Sequence, residues 1–258
     1  MIGVYREFEG CMRLAGHVLA RLTVLARPPV AESLTRQIYF TGASATAGMV
    51  LRGAFIGTFI IAYVIDVLEA NAALAVKILI WVVLREVGPL IAAVLVIQRS
   101  GVAITTELAL MQISGEVASL RQMRIDPRDY LVVPRVVGAA LSTAALTFYV
   151  QLIAVGGGML LSSLTIDASL GELAAEFFAL ARPIDFVYSA IKSLMFGAAI
   201  GLVCSYHGLH PPGVSINAVP KAAINGVTQA TLLVLLLNVV FAYLVFGQAF
   251  FGLVTAKL

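Results

Sequence analysis

Five long apolar stretches constrain the fold of this chain more than any other feature. They cover approximately residues 41–65, 70–99, 131–164, 184–205 and 228–255. Each is long enough for an α-helix to cross the hydrocarbon core of a bilayer. Hydrophobic residues make up 60% of the chain and charged residues 12%, with a mean hydropathy of +0.99. Because a soluble domain needs more polar surface, we expect one all-α membrane domain over residues 1–258.

The segment before the first span has the pattern of an amphipathic helix. One basic and one apolar set of side chains recur at helical spacing: Arg6, Arg13, His17 and Arg21, and Phe8, Met12, Ala15, Leu19 and Leu22. We predict an interfacial helix within residues 1–30 that lies in the headgroup plane and ends at Pro28-Pro29. A helix packed on a soluble partner fits the same pattern. The charges exclude the apolar core of a signal peptide.

The placement of charge predicts the topology. The amino-terminal region holds five Lys or Arg residues and the 107–135 connection holds four, whereas the 66–72 and 165–185 connections are mainly acidic. The positive-inside rule then places the amino terminus and the 107–135 connection in the cytoplasm and the carboxyl terminus on the opposite side. Apolar residues recurring from Leu170 to Ala181 predict a short additional helix in the last of these connections.

No pattern typical of an enzyme active site or a metal centre occurs in the sequence. It contains no phosphate-binding loop, no His-Glu-x-x-His and no Gly-x-Ser-x-Gly. Cys11 and Cys204 are the two cysteines, and their spacing predicts neither a disulfide framework nor a zinc site. We therefore expect a chain that is not itself an enzyme and that holds neither a metal nor a cofactor.

Arg85 and Glu86 are the most informative polar residues, because they lie within an apolar span. Neighbouring residues on a helix point about 100° apart, so the two side chains are expected to face different partners or a water-filled cavity. Pro89 removes a backbone donor and predicts a kink close by. Two interpretations stay open: the wall of a functional cavity, or a pair that fixes the register of the helices.

A short polar segment between the second and third spans is predicted to be helical. Val117, Leu120, Met123 and Arg124 share one side of it, and Asp126-Pro127 would stop it. Its length suits a peg that docks into another protein, and a plain connecting helix fits equally well.

With these residues, the chain resembles the MlaE (YrbE) family, whose members are permease subunits of ABC transporters that move lipids between membranes. The motifs that carry the resemblance are Leu84-Arg85-Glu86-Val87-Gly88-Pro89, Arg99-x-Gly101 with Thr106-Glu107-Leu108-x-x-Met111, Ile125-Asp126-Pro127, Pro134-Arg135 and the stretch Gly201–Gly208. The sequence departs from the family pattern at Gln98 and in Ala218–Ile224, where both family threonines are missing.

The resemblance implies a homodimer in the bacterial inner membrane, with an interfacial helix, five spans per subunit and a periplasmic carboxyl terminus. It implies that phospholipid or a related lipid is moved, in systems that maintain outer-membrane lipid asymmetry. ATP would be bound by a separate ATPase, and an MCE-type substrate-binding protein would be the outer partner. The lipid pocket would be walled by the first, second and fifth spans.

The resemblance also assigns roles to individual residues. Arg85, Glu86, Ile60 and Tyr63 would bind the lipid. A coupling helix at about 115–128 would contact the ATPase through a larger set: Glu116, Leu120, Arg121, Arg124, Asp126, Pro127 and Arg128. Two alternatives from other classes are a secondary transporter that uses Arg85 and Glu86 as an ion-coupling pair, and a membrane scaffold that transports nothing.

Overall fold

The protein is described here from a computed structural model, which covers residues 2–42, the positions 48, 51, 55, 58 and 59, and residues 80–165 and 169–255. The described helices are α1 (Ile2–Ala20), α2 (Pro28–Thr41), α3 (Ile80–Val87, Gly88–Val96, Ile97–Gly101 and Val102–Ile113 in succession), α4 (Glu116–Gln122), α5 (Arg128–Val132 followed by Val133–Thr165), α6 (Leu170–Leu180), α7 (Pro183–Leu209) and α8 (Ala218–Thr255). A 3-10 turn, Leu22–Ala26, joins α1 to α2.

Four of the described helices are long and apolar enough to cross a bilayer, and they confirm the second to fifth predicted spans. These segments are Val82–Ile113, Arg128–Leu160, Pro183–Leu209 and Ala218–Leu244. The predicted first span lies almost wholly outside the described residues. The helix of the second predicted span continues past Arg99 to Ile113. Within that extension Glu107 is 60% exposed and forms an ion pair with Arg135, 3.1 Å apart, and glutamate is a good helix former.

Helix α7 is the centre of the described bundle, with α5, α3 and α8 packed around it. Gly197 and Gly201 let α7 approach α5 closely. A Cβ atom at Gly197 would lie 2.5 Å from the carbonyl oxygen of Ala139, and one at Gly201 would lie 2.7 Å from Cα of Val136. Small residues at helix contacts are typical of membrane bundles, in which close packing replaces the hydrophobic driving force.

Helix α1 is shorter than predicted and uses a different face. It ends at Ala20, and Pro28-Pro29 begins α2 instead of ending α1, because proline is well tolerated in the first turn of a helix. Leu14 and Val18 are buried against Val132, Val133 and Val136. The predicted apolar residues Met12 and Leu19 are 58% and 71% exposed. The helix therefore packs on the bundle through one stripe and presents a second apolar stripe outward, as an interfacial helix requires.

The predicted helix between the third and fourth spans is confirmed as α6. Its first residue follows a capping box, in which Ser169 and Glu172 each accept a hydrogen bond from the other's backbone N–H. Leu173 and Phe177 are buried against α3 and α5, whereas Phe178 is 78% exposed.

Candidate functional site

The two charged residues inside the second span have separate partners on α7. Nε of Arg85 donates a hydrogen bond to Oδ1 of Asp185 at 2.7 Å, and Nη2 of Arg85 binds the same oxygen. Nζ of Lys192 lies 2.7 Å from Oε2 of Glu86. The expectation that neighbouring residues face different partners is therefore confirmed. The two pairs join α3 to α7 by opposite charges in an apolar surrounding.

Pro89 explains two further contacts in this layer. Proline has no N–H. In an α-helix the N–H of residue 89 would bind the carbonyl of Arg85, and in a π-helix it would bind the carbonyl of Leu84. Both carbonyls therefore lack this backbone donor. Nζ of Lys192 donates to the Arg85 carbonyl at 3.1 Å. Nε2 of Gln151 donates to the Leu84 carbonyl at 2.8 Å. Side chains from α7 and α5 thus replace the missing donors. The segment before this proline, Ile80–Val87, is π-helical, and the kink itself stays a prediction.

Three members of this layer were not predicted as site residues: Asp185, Lys192 and Gln151. Lys192 is fully buried and Asp185 is 3% exposed. The position of Lys192 inside an apolar span could have indicated an ion pair, because a lone ammonium group there needs a carboxylate partner. Asp185 had been counted with the acidic connection before the fourth span. Because both carboxylates pair with cations on another helix, the layer favours the register-fixing interpretation of Arg85 and Glu86.

A separate apolar cavity lies along α3 on the side of the first span. It has a volume of about 740 Å³, and its lining residues are Leu51, Phe55, Leu90, Ile91, Val94, Leu95 and Gln98. Arg85 and Glu86 do not line it. Ile60 and Tyr63, the other two predicted lipid contacts, lie outside the described residues. The cavity has the size and the mainly apolar walls typical of sites for small molecules.

The predicted coupling segment contains α4, which is held to α3 by a tight connection. Gly115 adopts φ +83° immediately before α4, a conformation that glycine reaches without steric cost. Val117 is buried in the main apolar cluster and Leu120 packs against it. The remaining predicted coupling residues are exposed except Pro127. Helix α4 is therefore anchored on one side and open on the other.

Helix α4 ends in a Schellman motif with an arginine where glycine is usual. The N–H of Ile125 donates to the carbonyl of Leu120 at 2.9 Å, and the N–H of Arg124 donates to the carbonyl of Arg121 at 3.0 Å. Arg124 has φ +59° and is the one non-glycine residue with positive φ among the described residues. The left-handed conformation costs an L-residue about 1–2 kcal/mol. This turn places the Arg124 side chain beside Arg128 and His210, around a second cavity.

Helix α1 is fixed to the same end of the bundle by polar contacts. Nε2 of His17 donates to Oδ1 of Asp129 at 2.7 Å, so His17 does not belong to a solvated basic face as predicted. Nε2 of Gln229 donates to Oε2 of Glu7 at 2.7 Å, and His207 contacts the same glutamine at 2.8 Å.

Burial, reinforced by the nearby charge of Glu7, raises the pKa of Cys11 to about 11.

His17, Asp126 and Asp129 bring their ligand atoms within 4.8 Å of one another. This group was not predicted, because residue 17 is far from the other two along the chain. The hydrogen bond to Asp129 already uses Nε2 of His17. We assign no metal to the group.

Comparison with known proteins agrees with this architecture. The family described as Permease MlaE matches residues 34–244. A probable ABC transporter permease protein of Rickettsia conorii is 27% identical over 231 residues, which cover 88% of each chain. The permease protein MlaE of the intermembrane phospholipid transport system of Haemophilus influenzae is 25% identical over 83% of each chain. The chloroplastic protein trigalactosyldiacylglycerol 1 of Arabidopsis thaliana is 35% identical over 47% of this chain and 35% of its own length. The chain belongs to the MlaE family of membrane permeases.

Proposed function

We propose that this chain is the membrane subunit of an ATP-driven transporter that moves phospholipid or a related lipid between membranes. The observation that carries the proposal is α4, a short exposed helix at one end of a span bundle in a member of the MlaE family. ATP hydrolysis belongs to a separate subunit, which docks on the segment 116–128. Closure of the ATPases would move this segment and, through Val117 and the helices that pack on it, the spans.

The apolar cavity beside α3 is the part of the described structure best suited to acyl chains, because Gln98 is its one polar lining residue. Arg85 is 19% exposed in its side chain, so a lipid phosphate could reach its guanidinium group. Such a contact would compete with Asp185 for the same donors. We therefore propose that lipid binding and the pairing of Arg85 with Asp185 are coupled.

We further propose a homodimer with α8 at or near the contact between copies. Only 11% of the α8 span is buried, against 50–56% of the other described spans. Its exposed apolar side chains include Leu232, Leu236, Val239 and Tyr243. In the proposed orientation α4 and the amino terminus are cytoplasmic, and α6 faces an MCE-type lipid-binding partner in the periplasm. The arginines around α4 and the acids near α6 support that orientation.

The test is purification of the chain from its native membrane with its neighbours. We expect an ATPase to co-purify, two copies of the permease in the complex, and bound phospholipid detected by mass spectrometry. Recovery of neither ATPase nor lipid would contradict the proposal and would favour a membrane scaffold. Transport driven by an ion gradient without ATP would favour a secondary transporter.

A charge reversal on α4 tests the docking element. Glu116 is exposed and contacts the Ser114 hydroxyl, so Glu116→Arg changes the surface without removing a core contact. We expect it to reduce the recovery of the ATPase several-fold. Glu32→Arg, an equal charge change on the exposed surface of α2, is the matched control. Equal recovery with both variants would exclude this face of α4 as the docking surface.

A further inference from the structure

A second cavity lies between the turn that follows α4 and the end of α7. Its volume is about 550 Å³, and three guanidinium groups, those of Arg121, Arg124 and Arg128, line it together with His210. None of the three arginines forms an ion pair with any residue that the structure describes. The three side chains are exposed, so water screens their mutual repulsion, whereas an anion bound among them would be attracted by all three charges at once.

The backbone supports the convergence of these side chains. Arg124 holds its place in the cavity through a left-handed conformation that glycine would adopt without strain. Strain of this kind persists where the surrounding structure imposes it, and it concentrates at binding sites. The cavity also contains Asp126, but Oδ1 of this residue accepts the N–H of Arg128 at 2.9 Å. Three guanidinium charges therefore face one carboxylate.

The position of the cavity indicates the depth of its ligand. Arg128 is the first residue of one span and Leu209 is the last residue of another, so the cavity lies where spans leave the apolar core. Leu209, Ile125 and Pro127 add apolar surface to the wall. A ligand with a phosphate next to an apolar part meets both kinds of surface. Basic pockets at the ends of transmembrane helices are suited to anionic headgroups.

We propose that this cavity binds the headgroup phosphate of an anionic phospholipid from the leaflet at the α4 end of the bundle. A guanidinium group can form two parallel hydrogen bonds with phosphate oxygens. Three such groups offer more N–H donors than one carboxylate side chain of a protein partner can accept. The lipid is held at a site separate from the apolar cavity beside α3 and supports the turn that follows α4. This site goes beyond the proposed transport function. It shares the segment 116–128 with the proposed ATPase contact: the lipid lies in the cavity at the turn after α4, and the ATPase contacts the side of α4 that faces away from the cavity.

The test compares lipid binding to two variants that remove equal charge. The permease is purified with its ATPase, stripped of lipid and titrated with phosphatidylglycerol, and bound lipid is counted by native mass spectrometry. Arg124→Gly/Arg128→Gln removes two cavity cations, and the glycine relaxes the strained turn, so the variant keeps its fold. Arg36→Gln/Lys221→Gln removes two exposed cations outside the cavity. We expect an affinity at least about tenfold lower for the cavity variant and no change for the control.

Two further measurements separate the possible sources of the anion. Soluble glycerol 3-phosphate should compete weakly, because it cannot contact Leu209 and Ile125 as a lipid does. Competition as strong as that of the lipid would overturn the assignment to a headgroup. The photoreactive residue p-benzoylphenylalanine in place of Ile125 should form a lipid adduct in membranes. An adduct with the ATPase and none with lipid would overturn the lipid site while supporting the docking of that subunit, and an equal loss of lipid in both charge variants would also overturn it.

Discussion

Lys192 contacts the second span through two groups at once, the carboxylate of Glu86 at 2.7 Å and the carbonyl of Arg85 at 3.1 Å. The ammonium group is fully buried, so both contacts replace water that an ion would otherwise need. This one side chain joins α7 to α3 by charge and by main-chain hydrogen bonding. Together with the pair of Arg85 and Asp185, it links the two helices in the described layer.

Removal of the Lys192 ammonium group is expected to destabilise the bundle strongly. Lys192→Met leaves the partly buried carboxylate of Glu86 without a cation, and loss of one member of such a pair costs about 3–5 kcal/mol. The double variant Lys192→Met/Glu86→Gln should cost less than the single one, because no unpaired charge remains. The free energy of unfolding in a mixed-micelle titration measures both. Lys221→Met, at an exposed position, should change it by less than about 0.5 kcal/mol.

Substitutions at Pro89 and Gln151 are expected to have coupled effects on stability, because one residue removes a backbone donor and the other supplies a side-chain donor. Gln151→Leu leaves the Leu84 carbonyl without a donor, at a cost of about 1–3 kcal/mol. With Pro89→Ala a backbone N–H returns to the helix, and the same glutamine substitution should then cost less. A double-mutant cycle measures the difference. Gln98→Leu at an exposed position serves as the control, and additive effects of the first two changes would refute the coupling.

Replacement of either of two glycines in the spans by alanine is expected to change the stability of the protein, in opposite directions. At Gly197 a methyl group would meet the backbone of Ala139 at 2.5 Å, so Gly197→Ala should cost about 1–3 kcal/mol through overpacking between α7 and α5. At Gly156 the added atom would meet nothing within 4 Å, and alanine should stabilise the helix by about 0.5–1 kcal/mol. Thermal denaturation of the purified protein would show midpoints shifted in opposite directions.

The reactivity of Cys11 is expected to depend on pH. Its pKa of about 11 leaves about a thousandth of the thiol ionised at pH 8, and the thiolate is the reactive form. Alkylation by iodoacetamide should therefore be slow at pH 8 and rise about tenfold per pH unit toward pH 10. Glu7→Gln removes the secondary electrostatic cause and should raise the rate modestly. The measurement uses a Cys204→Ala background, and a rate independent of pH would contradict the raised pKa.

The turn after α4 is expected to gain stability when its arginine is replaced. Arg124→Gly places glycine at φ +59° and should remove about 1 kcal/mol of strain. Gly115→Ala, at φ +83°, should lose about as much although no atom obstructs the methyl group. Hydrogen exchange of the amides in α4 reports both changes. Protection that falls in the arginine variant would contradict this interpretation of the turn.

Sequence patterns predicted the features that depend on residues close together in the chain, such as the length of an apolar run or the spacing along one helix. Apolar run length located the described spans, and the angle between adjacent helical residues predicted separate partners for Arg85 and Glu86. The identity of those partners depends on which helices are neighbours in the bundle, and that order is not encoded locally. Lys192 is 106 residues away from Glu86, so no spacing rule could join them.

Helix boundaries and faces were predicted less well for the same physical reason. Glu107 was taken as the start of a connection, whereas α3 continues through it to Ile113, because an exposed glutamate is compatible with a helix that extends beyond the apolar core. Met12 and Leu19 were grouped correctly as an apolar stripe, yet α1 buries the neighbouring Leu14 and Val18. A helix at a membrane surface has two apolar environments available, the bundle and the lipid. Periodicity alone does not distinguish them.

The main-chain contact of Lys192 has a consequence for substitutions at position 85. The acceptor there is a carbonyl oxygen, which all twenty amino acids carry, so a change of the Arg85 side chain leaves this bond possible. The donor is needed because residue 89 has no N–H. The tolerance of position 192 to replacement is thus governed by residue 89 as well as by Glu86. A change of the side chain at 85 breaks the pair with Asp185 but leaves this link intact.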